Sequence, residues 1–293
     1  MGSGVPQRMI WWIVGGVVVI VLLLGLNTFR HAVGVATIDD TPKRREERLS
    51  SHWRILRPEG SGPFPASVLL SGCDGVRDNM TYWAEKFVAS GRMALIVDSH
   101  TPRGLDQLES WRLVCAGQAL PGAERAGDLA VALQTLAEME DVTDDVVVLG
   151  ASHGGWTAME FVSHASSGTI PPGLTAWPAP PEILLEKLTA LVLLYPYCGL
   201  LNGADKADWP SGLPALMVLA EKDNIVDVDD CLAMADSLRR GGASIETEIL
   251  IGAGHGFDQR DKSPLSSLNF DSAQRDESEM LVETFLWKTN RKM

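Results

Sequence analysis

No stretch of 20–50 residues recurs along the 293-residue chain, which sets aside solenoids, propellers and other repeat architectures. The sequence holds no G-x-x-x-x-G-K-[ST] loop, and no G-x-G-x-x-G follows a strand-like run. No nucleotide or dinucleotide cofactor is therefore expected. The four cysteines, Cys73, Cys115, Cys198 and Cys231, form no C-x-x-C pair, and no cluster has metal-ligand spacing, so no metal is expected either. Basic residues are scarce: 25 Lys and Arg stand against 38 Asp and Glu. The imbalance lies beyond residue 50. The first 50 residues carry six basic and four acidic side chains, and the rest carry 19 and 34. A domain this acidic repels a phosphate backbone, so nucleic acid is not an expected partner.

What is present begins with an apolar run. Met9–Leu26 (MIWWIVGGVVVIVLLLGL) is 18 residues without a charge. As a helix it would be about 27 Å long, near the thickness of a bilayer core. Trp11 and Trp12 suit one membrane interface. The pattern predicts a tail (1–8), a single transmembrane anchor (9–26), a polar tether (27–50) and one catalytic domain (51–293). A cleaved signal peptide is the competing reading, with Gly34-Val35-Ala36 as a small-residue site. The run is longer than the roughly 7–15 residues of a signal core, which favours the anchor. Lys43, Arg44, Arg45 and Arg48 follow the run, while Arg8 precedes it. Positive charge alone would put the large domain in the cytoplasm.

From Ser51 onward, apolar strand-like runs alternate with helical patterns, which predicts an α/β fold: a mostly parallel sheet with helices on both faces. Strands are expected at Ala66–Leu70, Met93–Val97, Val146–Leu149, Ala190–Leu194, Leu216–Ala220 and Glu246–Ile251. The clearest helix is Pro121–Met139, where Ala126, Leu129, Ala130, Leu133 and Leu136 make one stripe. Others are expected near Met80–Ala89, Gly155–His164, Asp229–Arg239 and Glu277–Thr289. Ser166–Pro181, with five prolines, reads either as a lid over the sheet edge or as an ordinary long loop.

Val146–Leu149 runs into Gly150-Ala151-Ser152-His153-Gly154 and then a helical segment. This is G-x-S-x-G between a strand and a helix, the context of a nucleophile elbow. A tight turn there holds the serine in a strained conformation, and the glycines let neighbouring backbone pass close by. A serine nucleophile needs a base. Beyond the elbow only two histidines remain. His164 falls in the helix leaving the elbow. His255 sits in Gly252-Ala253-Gly254-His255-Gly256, after a strand, and is the candidate base. The acid is expected at the end of the preceding strand. Asp223 is preferred over Glu221 and Asp227 because it sits at the tip of the turn and can hold the imidazole tautomer. An oxyanion hole would use the backbone N–H groups of His153 and of Cys73 in Ser71-Gly72-Cys73-Asp74-Gly75.

Taken together, LLSGCDG (69–75), LIVDSHTPRG (95–104), VVLGASHGG (147–155), ALMVLAEKDNIV (215–226) and GAGHGFD (252–258) resemble the dienelactone hydrolase family of α/β-hydrolases. They cover most of residues 66–258 in the family's order. The resemblance implies an α/β-hydrolase fold and cleavage of a small-molecule carboxylic ester or lactone. Two departures stand out: the founding members carry cysteine where this chain has Ser152, and many relatives begin the oxyanion loop His-Gly rather than Ser71-Gly72. A general ester or lactone is thus expected rather than dienelactone. Thioesterase and peptidase chemistry use the same triad, and a non-catalytic membrane-tethered scaffold is the reading from another class. Arg103 is a candidate for binding an acidic substrate, an ion pair with Asp98 or Asp106 being the alternative.

Each cysteine follows a strand or starts a helix on the sheet's active-site side. Neighbouring strands make Cys73–Cys115 and Cys198–Cys231 the expected disulfides, against the alternative of four buried thiols. An even cysteine count behind an anchor points to an exported, oxidising location.

Overall fold

The computed structural model describes residues 7–263 and 266–291. Seven strands form one sheet in the order β1-β3-β2-β4-β5-β6-β7. These are β1 (Arg54–Leu56), β2 (Phe64–Leu70), β3 (Met93–Val97), β4 (Val142–Ala151), β5 (Leu188–Leu194), β6 (Pro214–Ala220) and β7 (Ser244–Leu250). Only β1 runs antiparallel, against β3. The central strands are buried on both faces, which is why they read as unbroken apolar runs rather than alternations. The edge strand β7 keeps polar residues, as in Glu246 and Thr247.

The helices are α1 (Gln7–Ala32), α2 (Pro42–Leu49), α3 (Asp78–Ala89), α4 (Gln107–Glu109), α5 (Gly122–Ala137), α6 (His153–Ser167), α7 (Pro181–Glu186), α8 (Val228–Arg240) and α9 (Ser272–Asn290). One apolar cluster packs α5, α6 and α8 on one face of the sheet. A second packs α3 and α9 on the other. In α5 the stripe Ala126, Leu129, Ala130, Leu133 and Leu136 is fully buried. Sequence and structure differ at these elements mostly by a turn at the ends, where fraying is decided by caps such as the Asp271 carboxylate on α9. The three-residue β1 carries too little pattern to be read in advance.

One sequence expectation is corrected and one open choice is resolved. Residues 27–50 are not a tether throughout. Helix α1 continues to Ala32, and α2 is part of the domain, with Arg45 and Leu49 fully buried. The Arg45 guanidinium donates to Asp40 (3.0 Å), Asp128 (2.7 Å) and the Gly173 carbonyl (2.6 Å). Its charge made the segment look solvated, but three acceptors satisfy it inside. The proline-rich stretch 166–181, open between a lid and a loop, takes the loop reading: none of its residues lines the cleft at Ser152. Asp40 and Gly173–Thr175 exchange backbone hydrogen bonds, and Leu174 is buried against α5. The segment is clasped to α2 and the first turn of α5.

Candidate active site

The strand β4 ends in Ala151, and α6 begins at His153. Between them Ser152 has φ 51° and ψ −112°, a left-handed backbone that a non-glycine residue adopts only under constraint. The constraint is packing of bare backbone. A Cβ on Gly154 would lie 2.0 Å from the Leu70 carbonyl, and one on Gly150 would lie 2.3 Å from the Gly154 carbonyl. The G-x-S-x-G spacing is thus a steric requirement of α6 crossing against β2 and β4.

The loops after β6 and β7 bring two further groups to Ser152. The Ser152 hydroxyl lies 2.8 Å from His255 Nε2, and His255 Nδ1 lies 2.6 Å from Asp223 Oδ2. Both partner side chains are almost wholly buried. The other carboxylate oxygen of Asp223 accepts N–H bonds from Ile225 (2.9 Å) and Val226 (2.8 Å), so the acid is held from both sides. The Lys222 N–H donates to the Ala253 carbonyl at 2.8 Å, which fixes the acid loop to the histidine loop. The rival acids are occupied elsewhere. Glu221 accepts from the Gly252 N–H, and Asp227 caps α8. His164 sits over Glu160, its ring facing that carboxylate at 3.8 Å.

Cys73 lies in the loop after β2 and lines the same cleft as Ser152. His153 is the first residue of α6, so its N–H has no partner within that helix. Behind both stands Arg125, fully buried, whose Nη1 donates to the Ser71 carbonyl and to His153 Nδ1, each at 2.9 Å. Burial and the adjacent Arg125 charge push His153 well below the ordinary histidine range, so its ring is neutral. Neither Arg125 nor its role was legible in sequence, because α5 reaches the loop only through the fold.

The cleft has two lobes, of about 190 and 260 Å³, that share Cys73, Cys115, Ser152 and Ile225. Polar groups from Asp74, Gln259, Ser266 and Ser267 line the first. Val114, Trp156, Leu201 and Val226 line much of the second. Tyr195, edge-on to the His255 ring at 4.8 Å, walls the first lobe and is held by Asp258, which also accepts from Trp83. Burial and the facing Asp258 push the Tyr195 hydroxyl well above its ordinary pKa. Tyr195 directly follows β5 and Asp258 lies three residues after His255, so position was a usable signal for both.

Arg103 is corrected as a substrate ligand. Its guanidinium forms a two-pronged pair with Asp128, both contacts at 2.9 Å, and faces Glu124 at 3.4 Å. The partners are on α5, not the nearby Asp98 or Asp106 that short sequence separation suggested. Asp98 instead caps the following turn. The cysteines pair as Cys73–Cys115 and Cys198–Cys231, with Cα–Cα distances of 5.0 Å in each. Among the described residues no group of three or more His, Cys, Asp or Glu gathers as a metal site.

A parallel sheet with a serine elbow after one strand and an acid and a histidine after the last two defines the α/β-hydrolase class. A model of the dienelactone hydrolase family matches residues 53–286, most of the chain. The chain belongs to that family, and it is a hydrolase acting on ester bonds. Among solved structures, the one named m3DLH shares 19% identity, covers 81% of this chain and 92% of its own, and has a TM-score of 0.63. A butyrate-bound thermophilic esterase of Thermogutta terrifontis shares 16% identity over 80% and 88% of the two chains, with a TM-score of 0.55. A dienelactone hydrolase-like promiscuous phosphotriesterase from metagenomic libraries shares 19% over 78% and 89%, with a TM-score of 0.54. These likenesses describe the fold. A comparison with curated protein sequences finds no match.

Proposed function

We propose that the protein is a membrane-anchored serine esterase that cleaves a carboxylic ester or lactone through an acyl-serine intermediate. The observation that carries this is the continuous chain from the Ser152 hydroxyl through His255 to Asp223, set at a strained elbow in a cleft. In this reading His255 Nε2 takes the hydroxyl proton as Ser152 Oγ bonds to the carbonyl carbon. Asp223 holds the Nδ1–H tautomer and stabilises the imidazolium. The carbonyl oxygen becomes an oxyanion facing the N–H groups of Cys73 and His153. His255 then returns the proton to the leaving alcohol, which in a lactone stays tethered to the acyl group. Water, deprotonated by the same imidazole, releases the acid and restores Ser152.

Helix α1 supports the anchor: residues 7–26 are exposed and the mean hydropathy is 2.7 over an 18-residue window. Two disulfides support a catalytic domain on the exported side. A fluorophosphonate probe should label the full-length protein and fail to label Ser152→Ala. Absence of labelling in the parent would overturn the reading in favour of a non-catalytic scaffold. A panel of p-nitrophenyl esters, thioesters and peptides then separates esterase from thioesterase and peptidase action, with turnover expected on the oxygen esters.

A further inference from the structure

The C-terminal end of α1 is built into the wall of the candidate active site. Asn27 Nδ2 donates to the backbone carbonyl (2.9 Å) and the side chain (3.1 Å) of Gln118, and Gln118 Nε2 donates to Thr28 Oγ1 (2.7 Å). Thr28 lines the apolar lobe together with Ser152, His153 and Leu201. The approach is close: a Cβ on Gly117 would meet Thr28 at 3.8 Å and Leu201 at 4.0 Å.

The apolar run ends at Leu26, one residue before this clamp. If that run crosses a bilayer, about 27 Å of helix fills the hydrocarbon and Asn27 and Thr28 fall at the headgroup level. The clamp then sets the mouth of the apolar lobe at the membrane surface. The protein surface there is apolar in the same sense. Leu200 is 99% exposed beside Leu201, Ile225 is 52% exposed where the two lobes meet, and Phe29, next to Thr28, is 61% exposed. Side chains of this kind cost solubility when they face water, but partition into an interface. Both lobes are lined mainly by apolar surface, and the one past Ser152 also holds Asp74, bonded to Gln259 at 2.8 Å.

We propose that the substrate is a bilayer-resident ester of a long apolar chain, which enters through the lobe beside Thr28. This rests on the anchored-esterase reading above and names the substrate class for that site. Delivery is lateral, from the leaflet against which α1 holds the mouth, so the clamp between Asn27, Thr28 and Gln118 acts as an aiming device.

The test uses the full-length protein in phosphatidylcholine vesicles, with 4-methylumbelliferyl palmitate dissolved in the bilayer and 4-methylumbelliferyl acetate in solution. The double variant Asn27→Ala/Gln118→Ala removes the clamp, and Leu200→Asp puts a charge on the rim; none of these residues touches the reacting atoms. Each variant is expected to lose about tenfold in kcat/KM on the palmitate, while acetate hydrolysis stays within about twofold of the parent. Acetate turnover with palmitate hydrolysis unchanged in both variants would overturn the lateral route. So would a parent enzyme that hydrolyses the acetate and not the bilayer ester. Loss of both ester activities together with absent Ser152 labelling would instead overturn the esterase reading itself.

Discussion

At the scale of single residues, the site depends on groups that cannot be exchanged for near equivalents. Asp223 uses one oxygen for His255 and the other for two backbone N–H groups. Asp223→Asn keeps the size and much of the loop geometry, but offers an N–H where an acceptor is needed. We expect kcat on a soluble ester to fall by roughly 10⁴-fold, with a melting temperature within a few degrees of the parent. Retained activity would reassign the acid role, with Glu221 and Asp227 the remaining carboxylates of that loop. The preference for Asp223 in the sequence rested only on its place at the turn's tip. Its two-sided fixation became visible only with the backbone of Ile225 and Val226 in place.

At the scale of elements, α2 shows how a charged segment becomes structural. Thr41 caps it and Pro42 opens it, both readable locally. Its anchoring is not local, because Arg45 reaches Asp128 on α5 and Gly173 in the loop after α6. Asp128 in turn holds Arg103. Burial alone would raise the Asp128 carboxyl, but Arg103 and Arg45 hold it well below the usual carboxylate range. Arg45→Ala leaves buried carboxylates facing a void. A loss of about 3–5 kcal/mol is expected, read as a lower urea midpoint. A change within error would mean that α2 is peripheral after all.

At the scale of the whole molecule, acid sensitivity follows from what the fold keeps neutral. Desolvation, with the Arg125 charge nearby, holds His100 and His153 well below the ordinary value of 6.5. Arg103 and the facing His153 add to this at His100, and Asp128 opposes it. Below pH 6.5 the unfolded chain binds protons at both histidines and the folded protein does not. Stability is therefore complete above that pH and falls on acidification, by up to about 1.4 kcal/mol per pH unit for each ring. The depressed Asp128 adds to the loss only below the unfolded carboxylate range. Glu124, Asp74 and Asp258, all raised chiefly by burial, work the other way as the pH approaches that range. The urea midpoint should drop between pH 7.5 and 5.5, and His100→Asn should flatten the drop. An equal slope in that variant would remove His100 from the account. What the sequence alone determined is everything that short-range sterics and periodicity encode. The buried strands are apolar runs because both faces are covered, the elbow at Ser152 is glycine-flanked because backbone crosses backbone there, and α1 is recognisable because a uniform apolar run needs no partner to be read. The tertiary structure alone decided which distant groups meet: Arg103 with Asp128, Arg45 with Gly173, Arg125 with the loop after β2, and Thr28 with the cleft. Those pairings join residues far apart in the chain, and charge or polarity at one position does not say which buried acceptor the fold will bring to it.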